Sequence, residues 1–233
     1  MSLSDVVPLR ERRRAETISE IKDAALGELA DAGPGGMSLR GVARAMGVSV
    51  QSLYHYFDSR DALLTELVVD SHNALADAVE RSVEESRGLP PVERRLRANL
   101  AYRAWALEHR PAFLLIFGTP VPGFLPAPDG RTASAAYRLG QPFADVVFDG
   151  WTPSQLDAVP LLPGGEDIAV LGEKPWVLPP GALALFIELR GRLHGLVMLD
   201  LLNHLHPLQD YGRQLFVAAS RRMSDDIDRL QGS

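Results

Sequence analysis

The stretch from Met37 to Arg60, MSLRGVARAMGVSVQSLYHYFDSR, constrains the fold more than any other part of this 233-residue chain. Ser38 is a favourable helix N-cap, and apolar residues at helical spacing follow it as far as Met46. Gly47 is placed to end this helix, because glycine readily adopts the positive φ that many helix C-termini require. Ser49 is a second N-cap. The stretch therefore predicts two short helices joined by a tight turn, with a third helix beginning just beyond it.

The second of these helices carries many polar and aromatic side chains for its length. Val50, Leu53 and Phe57 are predicted to face inward, which leaves the hydrogen-bonding side chains on the other sides. Such a helix is typical of one that enters the major groove of DNA. We call residues 49–57 the recognition segment. The predicted DNA-binding residues are Ser38, Arg40, Ser49, Gln51, Ser52, Tyr54, His55, Tyr56 and Arg60.

Different roles are predicted for these residues. Gln51 could form a bidentate contact with adenine, while Ser52 and His55 could reach other base edges. Tyr56 could be a contact or a packing residue, and the alternative for His55 is an exposed side chain without any contact. The predicted phosphate contacts are Ser38, Arg40, Ser49, Tyr54 and Arg60. Because phosphate contacts carry little sequence information, they do not define an operator sequence.

Charge is distributed unevenly along the chain. The net charge is −6, and all of it arises after residue 60, since residues 1–60 hold eight basic and eight acidic residues. An arginine cluster, Arg10 and 12–14, directly precedes a helix predicted over residues 15–32. The cluster could contact phosphates or enter the minor groove, or it could be a solvated tail. The overall acidity argues against non-specific nucleic-acid affinity of the whole molecule.

The motifs of residues 38–64 together resemble the TetR family of bacterial regulators. The residues that carry the resemblance are Ser38, Val42-Ala43, Met46-Gly47-Val48-Ser49, Leu53-Tyr54-His55-Tyr56-Phe57 and Arg60-Asp61-Ala62-Leu63-Leu64. The resemblance implies an all-α fold with a helix-turn-helix DNA-binding domain over residues 1–60. It also implies a larger helical domain over residues 61–233 that binds a ligand and dimerises.

A narrower resemblance lies in the second half of the chain. Residues 102–111, 115–118 and 193–195 resemble the TetR subgroup whose C-terminal domain is named for a Trp-His-Gly motif. This chain has Leu193 where that motif has Trp. The resemblance implies no particular effector.

The last two predicted helices carry surplus apolar surface. The helix over about residues 181–205 is apolar almost all round, and the last helix has an apolar stripe that includes Met223 and Ile227. These helices predict a homodimer joined by a four-helix bundle, or alternatively two helices buried within one subunit.

Prolines and glycines over residues 150–182 predict an irregular insertion, with a short hairpin near residues 169–177. A helix over residues 132–149 is predicted to break or kink at residues 140–142.

The second half of the chain also has residues suited to a small-molecule pocket. Aromatic side chains supply apolar walls, and Arg190 and His194 share one helix face as a polar pair. The alternative is an ordinary core in which Arg190 pairs with an acid and His194 bonds to backbone. The predicted ligand-binding residues are Tyr102, Trp105, Phe113, Phe117, Phe148, Arg190, His194 and Met198.

These observations predict a transcriptional regulator whose partners are double-stranded operator DNA, an unknown small-molecule effector and a second copy of the chain. Repression, relieved by the effector, is the expected mode. The alternative is a helical protein-interaction or scaffold module without an effector. No zinc-protease, nucleophile-elbow or phosphate-loop motif supports an enzyme, and no cofactor or metal is predicted. With no cysteine, no signal peptide and no membrane-length apolar run, the expected location is the cytoplasm.

Overall fold

The computed structural model describes residues 8–127, 130–161, 178–205 and 211–232. The regular structure in these ranges is helical throughout, which confirms the predicted all-α fold. The helices are α1 (Leu9–Gly36), α2 (Leu39–Met46), α3 (Val50–Leu53), α4 (Arg60–Glu85), α5 (Pro91–Glu108), α6 (Arg110–Phe117), α7 (Arg131–Val147), α8 (Pro153–Asp157), α9 (Pro180–Leu201) and α10 (Tyr211–Gln231). None of these helices is both long enough and apolar enough to cross a membrane.

Local capping explains the short helices of the N-terminal region. The Ser38 hydroxyl accepts a hydrogen bond from the backbone N–H of Gly41 at 3.0 Å, and Ser49 caps α3 in the same way. Gly47 has φ 68° and ends α2 in the left-handed conformation. These contacts confirm the predicted caps and turn. The predicted two-turn helix is shorter in the structure, because α3 ends at Leu53 and hydrogen-bonded turns follow it.

The chain divides into two compact units. The first comprises residues Met1–Ser71 and His109–Ala133, and the second comprises residues His72–Glu108 and Ser134–Ser233. The core of the first unit combines apolar side chains of α1, α2 and α4 with Leu53, Phe57 and Val121. The predicted inward orientation of Leu53 and Phe57 is confirmed, since they are only 1% and 5% exposed. The division of function at residue 60 remains a prediction.

Helix α5 of the second unit packs against α9 and α10, and α8 packs against α9. Helix α7 continues from Arg131 to Val147 without the predicted break, although Pro142 lies inside it. A proline in a helix interior removes one backbone hydrogen bond. Apolar burial offsets that loss, because Leu139, Phe143 and Val146 of the same helix are at most 4% exposed.

The predicted irregular insertion contains a short helix. Thr152 caps α8 by accepting from the Gln155 backbone N–H at 3.3 Å, while Gln155 Oε1 accepts from the Thr152 backbone N–H at 2.8 Å. This reciprocal capping box was not recognised in the sequence because prolines dominate the segment. The hairpin predicted near residues 169–177 lies outside the described residues.

Candidate functional site

The recognition segment presents polar side chains on a buried apolar support. Leu53 and Phe57 anchor it in the core of the first unit, while Gln51, Tyr54 and His55 are exposed. Tyr54 exposes 46% of its surface, which is high for an aromatic residue. The exposed side chains of this segment are therefore available to contact another molecule.

Several of the other predicted DNA-binding residues form hydrogen bonds within the first unit. Ser49 Oγ lies 2.8 Å from Ser52 Oγ, and both residues belong to the cap of α3. Arg60 Nε donates to the backbone oxygen of Met37 at 2.9 Å, which ties the start of α4 to the residue before α2. Arg40 is exposed on α2. Thus Ser49, Ser52 and Arg60 help to hold the recognition segment in place, whatever else they contact.

Arg14 of α1 reaches the end of the recognition segment. Its two terminal nitrogens each lie 3.4 Å from the backbone oxygen of His55, and its guanidinium carbon lies 5.0 Å from the centre of the Tyr56 ring. A planar guanidinium can donate and stack on an aromatic face at the same time. The sequence identified Arg14 only as a member of the arginine cluster that precedes the helix predicted over residues 15–32. No spacing rule pairs residues that are 41 positions apart.

Ion pairs join α1, α4 and the start of α7 within the first unit. Lys22 Nζ lies 2.5 Å from Asp70 Oδ2 and 3.5 Å from Glu66 Oε2, and Arg131 also pairs with Glu66. The hydrogen bond from Arg131, together with its charge and that of Lys22, holds the pKa of Glu66 below its usual value. This network joins α1 to α4, the helix that follows the recognition segment.

A polar cluster of the second unit joins α5 and α9. Tyr102 Oη lies 3.0 Å from His194 Nδ1. Burial raises the pKa of Tyr102, so its hydroxyl stays protonated. Burial, and secondly the charge of Arg190, lowers the pKa of His194 and favours the neutral imidazole. Burial also lowers the pKa of Arg190, whose guanidinium carbon lies 5.9 Å from the ring centres of both Phe143 and Phe186.

A small cavity of about 30 Å³ lies beside this cluster. Most of its wall is apolar, and side chains of α5, α7, α9 and α10 contribute to it. Arg95 and Ser220 line it and are buried, being 4% and 2% exposed. Arg95 Nη1 and Ser220 Oγ have no hydrogen-bond partner among the described residues. The full lining is Arg95, Asn99, Phe143, Val146, Val147, Phe186, Leu189, Arg190, Leu193, Ser220, Met223, Ser224 and Ile227.

The predicted ligand-binding residues are divided between the two compact units. Tyr102, Arg190 and His194 come together between α5 and α9. Phe113 and Phe117 pack against each other in the first compact unit, with ring centres 5.0 Å apart and ring planes 56° apart.

The other three predicted ligand-binding residues belong to the second unit. The rings of Phe148 and Trp151 pack edge to face, with their centres 5.5 Å apart. Trp105 is buried, and Met198 is partly buried. The roles of all eight residues remain predictions. Sequence analysis missed Arg95 and Ser220, because nothing in the sequence distinguishes them from other polar residues on amphipathic helices.

Comparison with known families and structures identifies the family of this chain. Residues 21–67 match the model of bacterial regulatory proteins of the tetR family, and residues 95–223 match the model of the tetracyclin repressor-like C-terminal domain. This chain belongs to the TetR family of transcriptional regulators. The resemblance noted in the sequence is thereby confirmed at the level of the family.

Individual TetR-family relatives agree with this assignment. The HTH-type transcriptional regulator Rv1816 of Mycobacterium tuberculosis is 38% identical over 141 residues, and the chain spans 60% of the length of this curated relative. The crystal structure of the putative regulatory protein SCO4313 has 30% identity and a TM-score of 0.73, covering 93% of this chain and 98% of that one. A TetR protein of Acinetobacter baumannii AYE, solved with minocycline, shares the fold at 17% identity, with a TM-score of 0.55 and coverage of 91% and 97%.

The lowered pKa of His194 predicts how stability depends on pH. The unfolded chain binds a proton at this residue below about pH 6.5, where the folded chain still keeps the imidazole neutral. Stability is therefore lost as the pH falls below about 6.5, until the folded state also binds the proton. We expect His194→Gln to reduce the fall of the thermal unfolding midpoint between pH 7.5 and pH 5. The matched control is His55→Gln, which changes an exposed histidine. An equal reduction by both variants would contradict the prediction.

Proposed function

We propose that this TetR-family protein is a cytoplasmic repressor that binds a pseudo-palindromic operator as a homodimer and releases it when a small-molecule effector binds. The observation that carries the proposal is the recognition segment, in which Gln51, Tyr54 and His55 are exposed above the buried Leu53 and Phe57. A dimer on a promoter excludes polymerase, which accounts for repression. The WHG subgroup, named for its Trp-His-Gly motif, remains our proposed placement of the C-terminal domain.

Base and phosphate contacts are assigned to different residues. Gln51 presents an amide that matches the N6 and N7 atoms of adenine, with Ser52 and His55 beside it. Tyr54 is assigned to a phosphate, whose contact adds affinity without sequence selection. The remaining phosphate contacts are assigned to Ser38, Arg40, Ser49 and Arg60, and Tyr56 is held by Arg14 at the edge of the contact surface.

Substitutions at Gln51 and Tyr54 separate these two roles. We expect Gln51→Ala to lose about 1–3 kcal/mol of discrimination at one base pair of each half-site. We expect Tyr54→Ala to weaken binding to all duplexes by a similar factor. The measurement is fluorescence anisotropy with an operator selected from a random duplex library, together with its single-base variants and a scrambled duplex. Equal affinity of the wild-type protein for the selected and scrambled duplexes would count against sequence-specific regulation.

Arg14 is proposed to position the recognition segment rather than to contact DNA itself. Arg14→Met and Arg14→Lys should both weaken operator binding several-fold, because neither replacement reproduces the planar guanidinium on Tyr56 and His55. The slope of log affinity against log salt should stay unchanged, whereas each lost phosphate contact would reduce it by about 0.9. Wild-type affinity of Arg14→Lys, or a smaller slope in Arg14→Met, would indicate a phosphate contact instead.

The proposed dimer uses an apolar face of α9. Ile187 and Leu199 are 44% and 43% exposed, which is high for large aliphatic side chains. Gly191 and Gly195 lie between them at four-residue spacing, and an added Cβ at either position would meet open space. Side chains four residues apart share one helix face, and the glycines permit close approach of a second backbone. This face is therefore suited to pack against its own copy across a two-fold axis.

The apolar stripe of α10 has a different role. Met223 and Ile227, which the sequence placed on the interface stripe, are buried within the subunit and line the cavity. A charge at Met223 would therefore disturb folding rather than test dimerisation. The sequence could not distinguish these cases, because helical periodicity identifies an apolar face without identifying what covers it.

A charge on the α9 face should disrupt the dimer. We expect Ile187→Glu to shift sedimentation from dimer to monomer, since burying an unpaired charge costs about 3–5 kcal/mol. Its thermal unfolding should lack the concentration dependence of the wild-type protein. The matched control is Leu125→Glu, which places the same charge on a loop residue that is 92% exposed. A dimer that survives Ile187→Glu would show that another surface joins the subunits.

A small-molecule effector is proposed to bind the second compact unit, around Tyr102, Arg190 and His194. The Acinetobacter baumannii protein of the same fold was solved in complex with minocycline, which supports a small-molecule ligand for this protein. The effector must prefer the conformation that does not bind operator, since a ligand with equal affinity for both conformations shifts neither. Reciprocity then requires that operator DNA weaken effector binding by the same factor, typically about 5–150-fold.

A further inference from the structure

Arg190 differs from the other interior arginines of the second unit. Arg94, Arg95 and Arg103 pair with Asp149, Asp228 and Asp200, respectively, and Arg138 pairs with two acids of α4. Arg190 makes no ion pair or hydrogen bond within the described part of the chain. Its guanidinium lies against the rings of Phe143 and Phe186 and close to Tyr102. A partly buried guanidinium without an acid is costly, because burial removes water without supplying a counter-charge.

The adjoining cavity supplies further hydrogen-bond donors but no acid. Its lining includes two arginines, two serines and one asparagine, and the other eight lining side chains are apolar. Asp228 already neutralises Arg95 through Nη2, whereas Arg95 Nη1 and Ser220 Oγ remain without partners. Buried polar atoms in native proteins almost always have a partner. Among the described residues, this lining therefore has more cationic donors than carboxylates and lacks one negative charge.

We propose that the effector is an organic carboxylate with an apolar body, and that its carboxylate pairs with Arg190. This inference rests on the proposed function and specifies its ligand class. A guanidinium binds a carboxylate through two parallel hydrogen bonds, which favours Arg190 as the anchor. The apolar body packs along Phe143, Phe186 and Leu193. A neutral acceptor on the ligand, or an ordered water, satisfies Arg95 Nη1 and Ser220 Oγ.

The small volume of the cavity means that ligand binding requires side chains to move. A volume of about 30 Å³ holds one or two waters, so a larger ligand must displace side chains. Met223 lines the cavity, and its unbranched thioether chain can adopt several shapes at low cost. Ligand entry therefore requires repacking between α9, which carries the proposed dimer face, and α10. Such a ligand would bind the repacked conformation and thereby select it.

The test compares acids with their neutral amides. The probes are benzoate with benzamide and octanoate with octanamide, measured by calorimetry on the full-length wild-type protein without DNA. At least one acid should bind about 10- to 100-fold more tightly than its amide, the range expected for a charge-assisted pair. Equal affinity within both pairs, or no binding of either acid at millimolar concentration, would overturn the proposal.

Variants identify the anchoring residue. Arg190→Met should abolish the preference for acid over amide, while Arg190→Lys should retain part of it. Arg190→Met should also raise the thermal unfolding midpoint of the ligand-free protein, because it removes a charge without a counter-ion. The matched control is Arg97→Met, an exposed arginine of α5 outside the cavity, which should bind both probes as the wild type does. A preference for the acid that persists in Arg190→Met would overturn the assignment.

Operator binding distinguishes this inference from the proposed function. The acid that binds should lower operator affinity in the wild-type protein and leave it unchanged in Arg190→Met. An acid that binds through Arg190 but does not change operator affinity would support the ligand class and contradict effector-driven release. Release of operator by the amide as strongly as by the acid would contradict the ligand class instead.

Discussion

Burial of Leu53 and Phe57 is the interaction on which the recognition segment and its proposed DNA contacts depend. Helix α3 has only four residues, and a helix that short has no stability of its own in water. Its conformation is imposed by the Ser49 cap and by anchoring of these two side chains among α1, α2 and α4. The exposed residues of the recognition segment can therefore be polar, since they contribute little to folding.

Contacts from distant parts of the chain complete this support. Arg14 holds the end of the recognition segment, and Arg60 ties the start of α4 to the residue before α2. Lys22 joins α1 to α4 through Asp70 and Glu66. Each contact is modest alone, because exposed ion pairs contribute at most about 1 kcal/mol. Together they restrict the orientation of a segment that is proposed to enter a groove of fixed width.

The second unit balances buried charge in two ways. Three interior arginines, Arg94, Arg95 and Arg103, are paired with acids, which limits the cost of removing them from water. Arg190 has no such partner in the described chain and lies beside an apolar cavity. A site that is costly when empty and stabilised when filled favours binding of the missing group. Substitution of Arg190 by an apolar residue would thus raise stability and remove the proposed ligand anchor, as at many functional sites.

The sequence by itself determined the features that depend on neighbouring residues. Ser38, Gly47 and Ser49 act through backbone groups within a few positions, so the caps, the turn and the inward orientation of Leu53 could be predicted. Helical periodicity determined the all-α fold, and the ordered motifs of residues 38–64 determined the family. Tertiary structure alone decided which residues met across long separations. It brought Arg14 to His55, left Arg190 without an acid while pairing Arg95, and buried Met223 inside the subunit. Periodicity shows that a helix has an apolar face or a charge, but only packing decides what covers that face or neutralises that charge.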